Sequence, residues 1–222
     1  LMILILKPVG LSIRKYFLFL YTMVKNLKMT ILLIILGVII IAFIAVQLFA
    51  LSSQRNIEVY PYVVSKKFAN FEIRSYQATL FTSVKLSTKG YKNSSSKGFS
   101  ILGGYIFGNN ERNEKIAMTS PVAMKLDDSV TMMFMVPNKL EKEMLPKPNQ
   151  SNIEFREEPA KTVAAISFEG WANDEKIEKF KQKLKSSLDA KDIPYSNQFY
   201  FLGYNAPYEV FNRKNEIIVE LQ

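Results

Sequence analysis

The sequence predicts an α+β protein. One curved or barrel-like antiparallel sheet, built from two strand–strand–helix–strand–strand halves, carries two helices and follows a single transmembrane helix. Three observations carry that expectation. An uncharged run of 22 residues, Thr30–Leu51, stands near the N-terminus. Beyond residue 52, apolar residues recur mainly with the period of two that half-buried strands show. Finally, FEIRSYQATLFTSV (71–84) lies without gaps over IEFREEPAKTVAAI (153–166), and each copy precedes a helical segment and two more strands.

The run Thr30–Leu51 at about 1.5 Å per residue reaches roughly 33 Å, enough to cross a hydrocarbon core of about 30 Å. A cleaved signal peptide would have an apolar stretch of only about 7–15 residues ending in a small-x-small site. Leu48-Phe49-Ala50 puts a large residue where a small one is wanted, which favours an uncleaved anchor over residues 29–54. Arg14, Lys15, Lys25 and Lys28 precede the span and Arg55 follows it, a bias that places the first side in the cytoplasm and the C-terminal domain outside it. Residues 1–28 are expected as an N-terminal extension without assigned function. They are apolar in stretches too short to span, and Met29 would make a natural start.

Residues 55–222 are long enough for one domain with its own core. Phe71–Tyr76 alternates, with Phe71 and Ile73 on one face and Glu72 and Arg74 on the other. Leu80, Thr82, Val84 and Leu86 form the next run; Ile116–Leu126 and Val130–Val136 follow, parted by the turn-prone Asp127-Asp128-Ser129. Ile153–Arg156, Thr162–Phe168, Phe199–Tyr204 and Asn215–Leu221 complete the strands, and Pro61 places Glu58–Val64 at an edge or in an extended lead-in. The first helix is expected over Ser94–Phe107, with Phe99, Leu102 and Ile106 on one stripe. Gly98, Gly103 and Gly104 each cost it about 1 kcal/mol relative to Ala, so something should approach its backbone closely. The second, Asn173–Ala190, aligns Ile177, Phe180, Leu184 and Leu188, with Asn173 as N-cap and Asp174 and Glu175 in the first turn. Its five lysines from Lys176 to Lys185 read as a solvated face.

Composition narrows the chemistry. The chain has no Cys and no His, so thiol nucleophiles, thiolate metal sites, Ser-His-Asp machinery and imidazole ligation are excluded. Of its 29 basic residues, five lie in residues 1–51, where no acid occurs; the remainder faces 20 acids, a balance of +4 that gives no reason to invoke nucleic acid. Carboxylate catalysis is conceivable because Glu72 and Glu154 occupy equivalent places in the repeat, yet each is followed two residues later by Arg74 or Arg156, as in a surface ladder. Binding without catalysis is the reading favoured.

GFSILGGYIFGNN (98–110) followed by IAMTSPV (116–122) resembles the signature of the SOUL haem-binding family. The agreement rests on Tyr105, Ile106, Gly108, Asn110, Ile116, Met118, Thr119, Pro121 and Val122. FEIRSY (71–76), MFMVPNKL (133–140), VAAISFEG (163–170) and Arg213-Lys214-Asn215-Glu216 extend it over about residues 57–221. The resemblance implies a distorted antiparallel β-barrel made from a duplicated half, and a haem or other porphyrin in a shallow apolar groove beside the first helix.

The residues are compatible with such a ligand. Phe99, Leu102, Tyr105 and Ile106 offer an apolar face notched by Gly103, and Met118 and Met124 belong to a cluster of methionines in the following strands. Lys97, with Lys92, Arg112 and Lys115, flanks the segment where propionates would need partners. Burying about 400 Å² of ring at about 25 cal/mol/Å² yields roughly 10 kcal/mol before ordering costs, enough for micromolar binding with no iron ligand. Tyr105 as a phenolate ligand would need a cation to lower its ordinary pKa of about 10. The expectation is a membrane-anchored tetrapyrrole binder with its ring unligated or weakly ligated. The alternative is an effector-type module for other flat amphipathic molecules.

Overall fold

The computed structural model describes residues 9–54, 57–126 and 129–222. The first eight residues of the expected extension and the turn residues Asp127 and Asp128 lie outside the described residues. The chain forms two compact units, residues 1–52 and 53–222.

In the first unit a single helix, α1 (Val9–Gln54), runs through the boundary expected at residue 28. No Gly or Pro occurs between Gly10 and Gly37, so nothing in the backbone chemistry stops the helix there. Lys15–Phe49 is long and apolar enough to cross a membrane. The hydroxyls of Thr22 and Thr30 donate to the carbonyls of Leu18 and Asn26, each at 2.9 Å, so neither is left without an acceptor.

The second unit contains β1 (Glu58–Val59), β2 (Tyr62–Lys67), β3 (Glu72–Tyr76), β4 (Thr79–Leu86), α2 (Tyr91–Ile106), β5 (Thr119–Ser120), β6 (Val122–Leu126) and β7 (Val130–Met135). After these come β8 (Ile153–Glu158), β9 (Lys161–Glu169), α3 (Asp174–Asp189), β10 (Tyr195–Gly203) and β11 (Lys214–Leu221). Nine strands make one curled antiparallel sheet in the order β2-β3-β9-β11-β10-β6-β7-β4-β8, while β1 pairs in parallel with β5. Pro61 precedes β2, which is an edge strand, and the Ser120–Pro121 peptide is cis.

The strand order displays the duplication. β3, β4, α2, β6 and β7 correspond to β8, β9, α3, β10 and β11. The pairing of β3 with β9 is mirrored by that of β8 with β4, and β6 pairs with its own counterpart β10. A pseudo-twofold axis therefore passes between β6 and β10. The two strand–turn–strand segments are not hairpins. β3 is bonded to β9, and β4 to β7 and β8, although only Gln77 and Ala78 separate β3 from β4. A two-residue hairpin needs positive φ at its turn, and neither Gln77-Ala78 nor Pro159-Ala160 suits or adopts it. Each strand exchanges to the other half instead, which locks the two repeats into one sheet.

Both faces of the sheet are buried. On one, Leu102 and Ile106 of α2 and Ile177, Leu184 and Leu188 of α3 pack on Val84, Leu86, Met132, Ile166, Phe201 and Ile217. The opposite, concave face gathers Tyr60, Tyr76, Phe81, Met133, Met135, Tyr200, Leu202 and Ile218. Arg74 and Glu216 lie among them, so the alternation Glu72/Arg74 does not mark a solvent ladder as expected. The Arg74 guanidinium donates to both Glu216 oxygens (2.8 and 3.1 Å) and, through Nε, to Glu72 (2.9 Å), and it rests over the Tyr62 ring at 4.3 Å. The hydroxyls of Tyr204 (2.6 Å) and Ser167 (2.9 Å) also donate to Glu216. Glu72 sits on β3 and Glu154 on β8, near opposite edges of the sheet, so the two carboxylates do not converge.

The helix ends are tied together. Asn173 accepts from the Lys176 amide at 2.8 Å, as an N-cap should. Asp174 then reaches across to accept from the Tyr91 and Lys92 amides, capping α2 from the first turn of α3. Gly90, at φ +79°, makes room for it: a Cβ there would fall 2.7 Å from an Asp174 carboxylate oxygen.

Candidate functional site

α2 presents two neighbouring rows of side chains, and the site is built from the second. Ser94, Gly98, Leu102 and Ile106, spaced four apart, are buried against the sheet. At Gly98 a Cβ would meet Met132 Sδ at 2.9 Å and a Leu86 methyl at 3.1 Å, so there the close approach is made by the sheet itself, whereas at Gly104 a Cβ would meet only Asn109, at 3.9 Å. The adjoining row is Tyr91, Ser95, Phe99, Gly103 and Phe107; all of it except the buried Gly103 lines a groove.

The groove consists of two hollows of about 460 and 480 Å³ that share Phe99, Val122, Gly203, Asn205 and Pro207. Val122 and Met124 of β6 and Phe201 and Gly203 of β10 contribute to its walls, so it lies over the junction through which the pseudo-twofold axis passes. Phe107 and Met118 line the first hollow only. The far wall is the connection from β10 to β11, residues 204–213. Arg213 is the cation among the lining residues. Its Nη1 donates to the carbonyls of Ala206 (3.0 Å) and Glu209 (2.5 Å), and its guanidinium lies 3.9 Å from the Trp171 ring centroid. Nε is buried without a hydrogen-bond partner among the described residues. Burial lowers the Arg213 pKa, with Tyr91 and Glu209 acting in the opposite sense.

Of the residues expected at the site, Phe99, Met118 and Met124 line the groove. Gly103 stands between the Phe99 and Phe107 rings, which a Cβ would touch at 3.4 and 3.7 Å. Leu102, Tyr105 and Ile106 are not among the lining residues. They belong to the face of α2 that is pressed onto the sheet, and all three are core residues. The Tyr105 hydroxyl donates to the Pro146 carbonyl at 2.8 Å, and burial pushes its pKa up to about 12 despite Arg112 nearby. That environment is the reverse of what a phenolate ligand needs. Lys97 and Lys92 are exposed outside the lining, and Arg112 is engaged with Glu114 (3.0 Å) and the Met144 carbonyl.

Sequence reasoning missed Phe107, Trp171 and the whole segment 204–213. The available signal was modest: Pro207, Tyr208, Val210 and Phe211 are unusually apolar for a connection between strands. No group of His, Cys, Asp or Glu able to hold a metal occurs among the described residues.

A profile of the SOUL heme-binding protein family matches residues 57–220. The chain is 26% identical over 157 residues to heme-binding protein 2 of Mus musculus, covering 67% of this chain and 76% of that protein. It is 28% identical over 156 residues to heme-binding protein 1 of Xenopus laevis, covering 66% and 81%. Among solved structures, the EcmrR C-terminal domain superposes with a TM-score of 0.55 at 13% identity, covering 68% of this chain and 96% of that domain. That likeness establishes the shared fold.

Proposed function

The chain belongs to the SOUL heme-binding protein family, and on that premise we propose that it is a membrane-anchored, non-catalytic tetrapyrrole-binding protein. The ring would lie in the groove between α2 and residues 204–213, held without an imidazole. The observation that carries this reading is that the two hollows adjoin, sharing Phe99, Val122, Gly203, Asn205 and Pro207 in their walls, and that both are predominantly apolar. Its composition suits a flat amphipathic guest. Phe99, Phe107, Val122, Met118, Met124 and Phe201 supply apolar contact, and Arg213 supplies a positive charge where an acid group of the ring would lie. The named relatives are heme-binding proteins, which supports the same ligand class here.

A bound tetrapyrrole would bring whatever metal it carries. The protein's own residues would hold the ring, orient its acid groups and exclude water. α1 would serve as the anchor; the basic residues before its apolar stretch favour the cytoplasm on that side and the binding domain on the other.

Absorbance titration of the full chain in detergent with ferric haem tests the reading. A saturable Soret shift accompanied by quenching of Trp171, which borders the groove, is expected. A Soret band unchanged at excess protein sinks it. Quenching of Trp171 by other flat amphiphiles with no response to haem would favour the effector-type alternative.

A further inference from the structure

The connection from β10 to β11 is turned inside out. In a loop that meets water, the carboxylate faces solvent and the rings fold under. In residues 204–213 the reverse holds. Glu209 is 7% exposed, its carboxylate accepting from Asn205 Nδ2 at 2.7 Å and from the Ala206 amide at 3.1 Å. Tyr208, Val210 and Phe211 are 52%, 41% and 59% exposed. Arg213 holds the loop in this form by binding the carbonyls of Ala206 and Glu209 from within. Phe107 and Trp171, each more than half exposed, extend the same apolar rim along the groove.

We propose that this collar inserts into the interfacial layer of the bilayer that α1 crosses, so that the groove opens onto lipid rather than water. The proposal rests on the reading of α1 as a membrane anchor. In sequence, only residues 55 and 56 separate the end of α1 from Ile57, which itself lines the groove. Aromatic rings are the side chains that settle at headgroup level. A loop whose one acid is already folded inward and satisfied enters that layer without stripping water from a carboxylate. A flat, sparingly soluble ligand could then pass between bilayer and groove without crossing bulk water.

The test uses the full chain reconstituted in vesicles. Trp171 is the single tryptophan, so a W171F background is silent at the indole wavelength. F211W in that background reports the collar, Y208W is a second reporter should F211W fail to fold, and N197W is the reference. Asn197 is exposed near the start of β10, the opposite end of that strand from the loop. Lipids brominated high on the acyl chain, about 5–10 Å below the headgroups, quench an interfacial indole. The expected result is severalfold stronger quenching for F211W or Y208W than for N197W. A chain that co-floats with vesicles while all three reporters are quenched alike overturns the collar alone. Shielding of F211W from aqueous quencher without quenching by brominated lipid would place a second copy or another protein on the loop, and also overturns it. A chain that does not co-float overturns anchor and collar together. Soret titration of the same vesicles reads tetrapyrrole binding separately, so either proposal can fail without the other.

Discussion

Arg74 and Glu216, 142 residues apart in the chain, close a doubly bonded ion pair on the concave face of the sheet. Both side chains are almost wholly removed from water. Removing one partner leaves the other charge buried and unpaired, which costs about 3–5 kcal/mol. E216Q and R74M should each lower the urea midpoint accordingly, whereas R74M/E216L should cost less than the two singles combined. A double variant that loses the full sum would show that the two residues act independently.

Stability should fall on acidification. Burial by itself would raise the Glu216 pKa, but the hydrogen bonds and charge of Arg74, with help from Tyr204 and Lys214, hold it below the ordinary carboxylate value. Glu158 is displaced in the same direction against its own burial, by Lys161 and Arg156. In the carboxylate range the unfolded chain therefore binds more protons than the folded one, so the stabilisation is complete above the unfolded value and is lost as pH falls through the folded one. Urea midpoints followed from neutral pH downward should decline through that range. R74M/E216L should decline less steeply, with Glu158 supplying the remaining slope.

Groove and core should separate cleanly by mutation. F99A removes a ring from both hollows and should weaken ferric-haem binding about tenfold, or about 1.4 kcal/mol. Because the half-buried ring also packs on Phe134, the variant should cost some folding stability, though less than loss of a fully buried side chain. L102A, one turn position away but fully buried, should cost about 2–5 kcal/mol of folding stability. Isothermal titration and chemical denaturation distinguish the two. Equal effects of both variants on affinity would mean that the ring sits elsewhere.

Tyr105 should be a spectator in ligand binding. Its hydroxyl is occupied by the Pro146 carbonyl, and its pKa of about 12 leaves it neutral at physiological pH. Y105F should leave the position of any haem Soret band unchanged and cost about 1 kcal/mol of stability through the lost hydrogen bond. A moved Soret band would make the phenol a ligand after all.

Much of the architecture is legible in the chain. The period-two runs of β3 and β4, the short apolar runs of β9 and β11, and the apolar spacing of Ile177, Leu184 and Leu188 in α3 announce themselves because pleat, buried strand and helix each leave a hydropathy pattern. Asn173 reads as a cap because its chemistry suits no interior position nearly so well. The site is less legible. Phe99 and Leu102 are both apolar, and only their places on adjoining rows of α2 decide that one borders a groove while the other fills the core. Arg74 reads as a surface partner of Glu72, since nothing nearby in sequence reveals that Glu216 will arrive to neutralise it.

By itself, then, the order of residues determined the elements, the apolar N-terminal helix, the duplication and the absence of imidazole and thiol chemistry. These follow from local periodicity and composition, which need no knowledge of long-range partners. Tertiary structure alone decided that the halves exchange strands instead of forming hairpins, that Arg74 and Glu216 meet, and that a loop near the C-terminus walls a groove against α2. Each depends on contacts between residues tens of positions apart, made where the chain's most favourable burial lies.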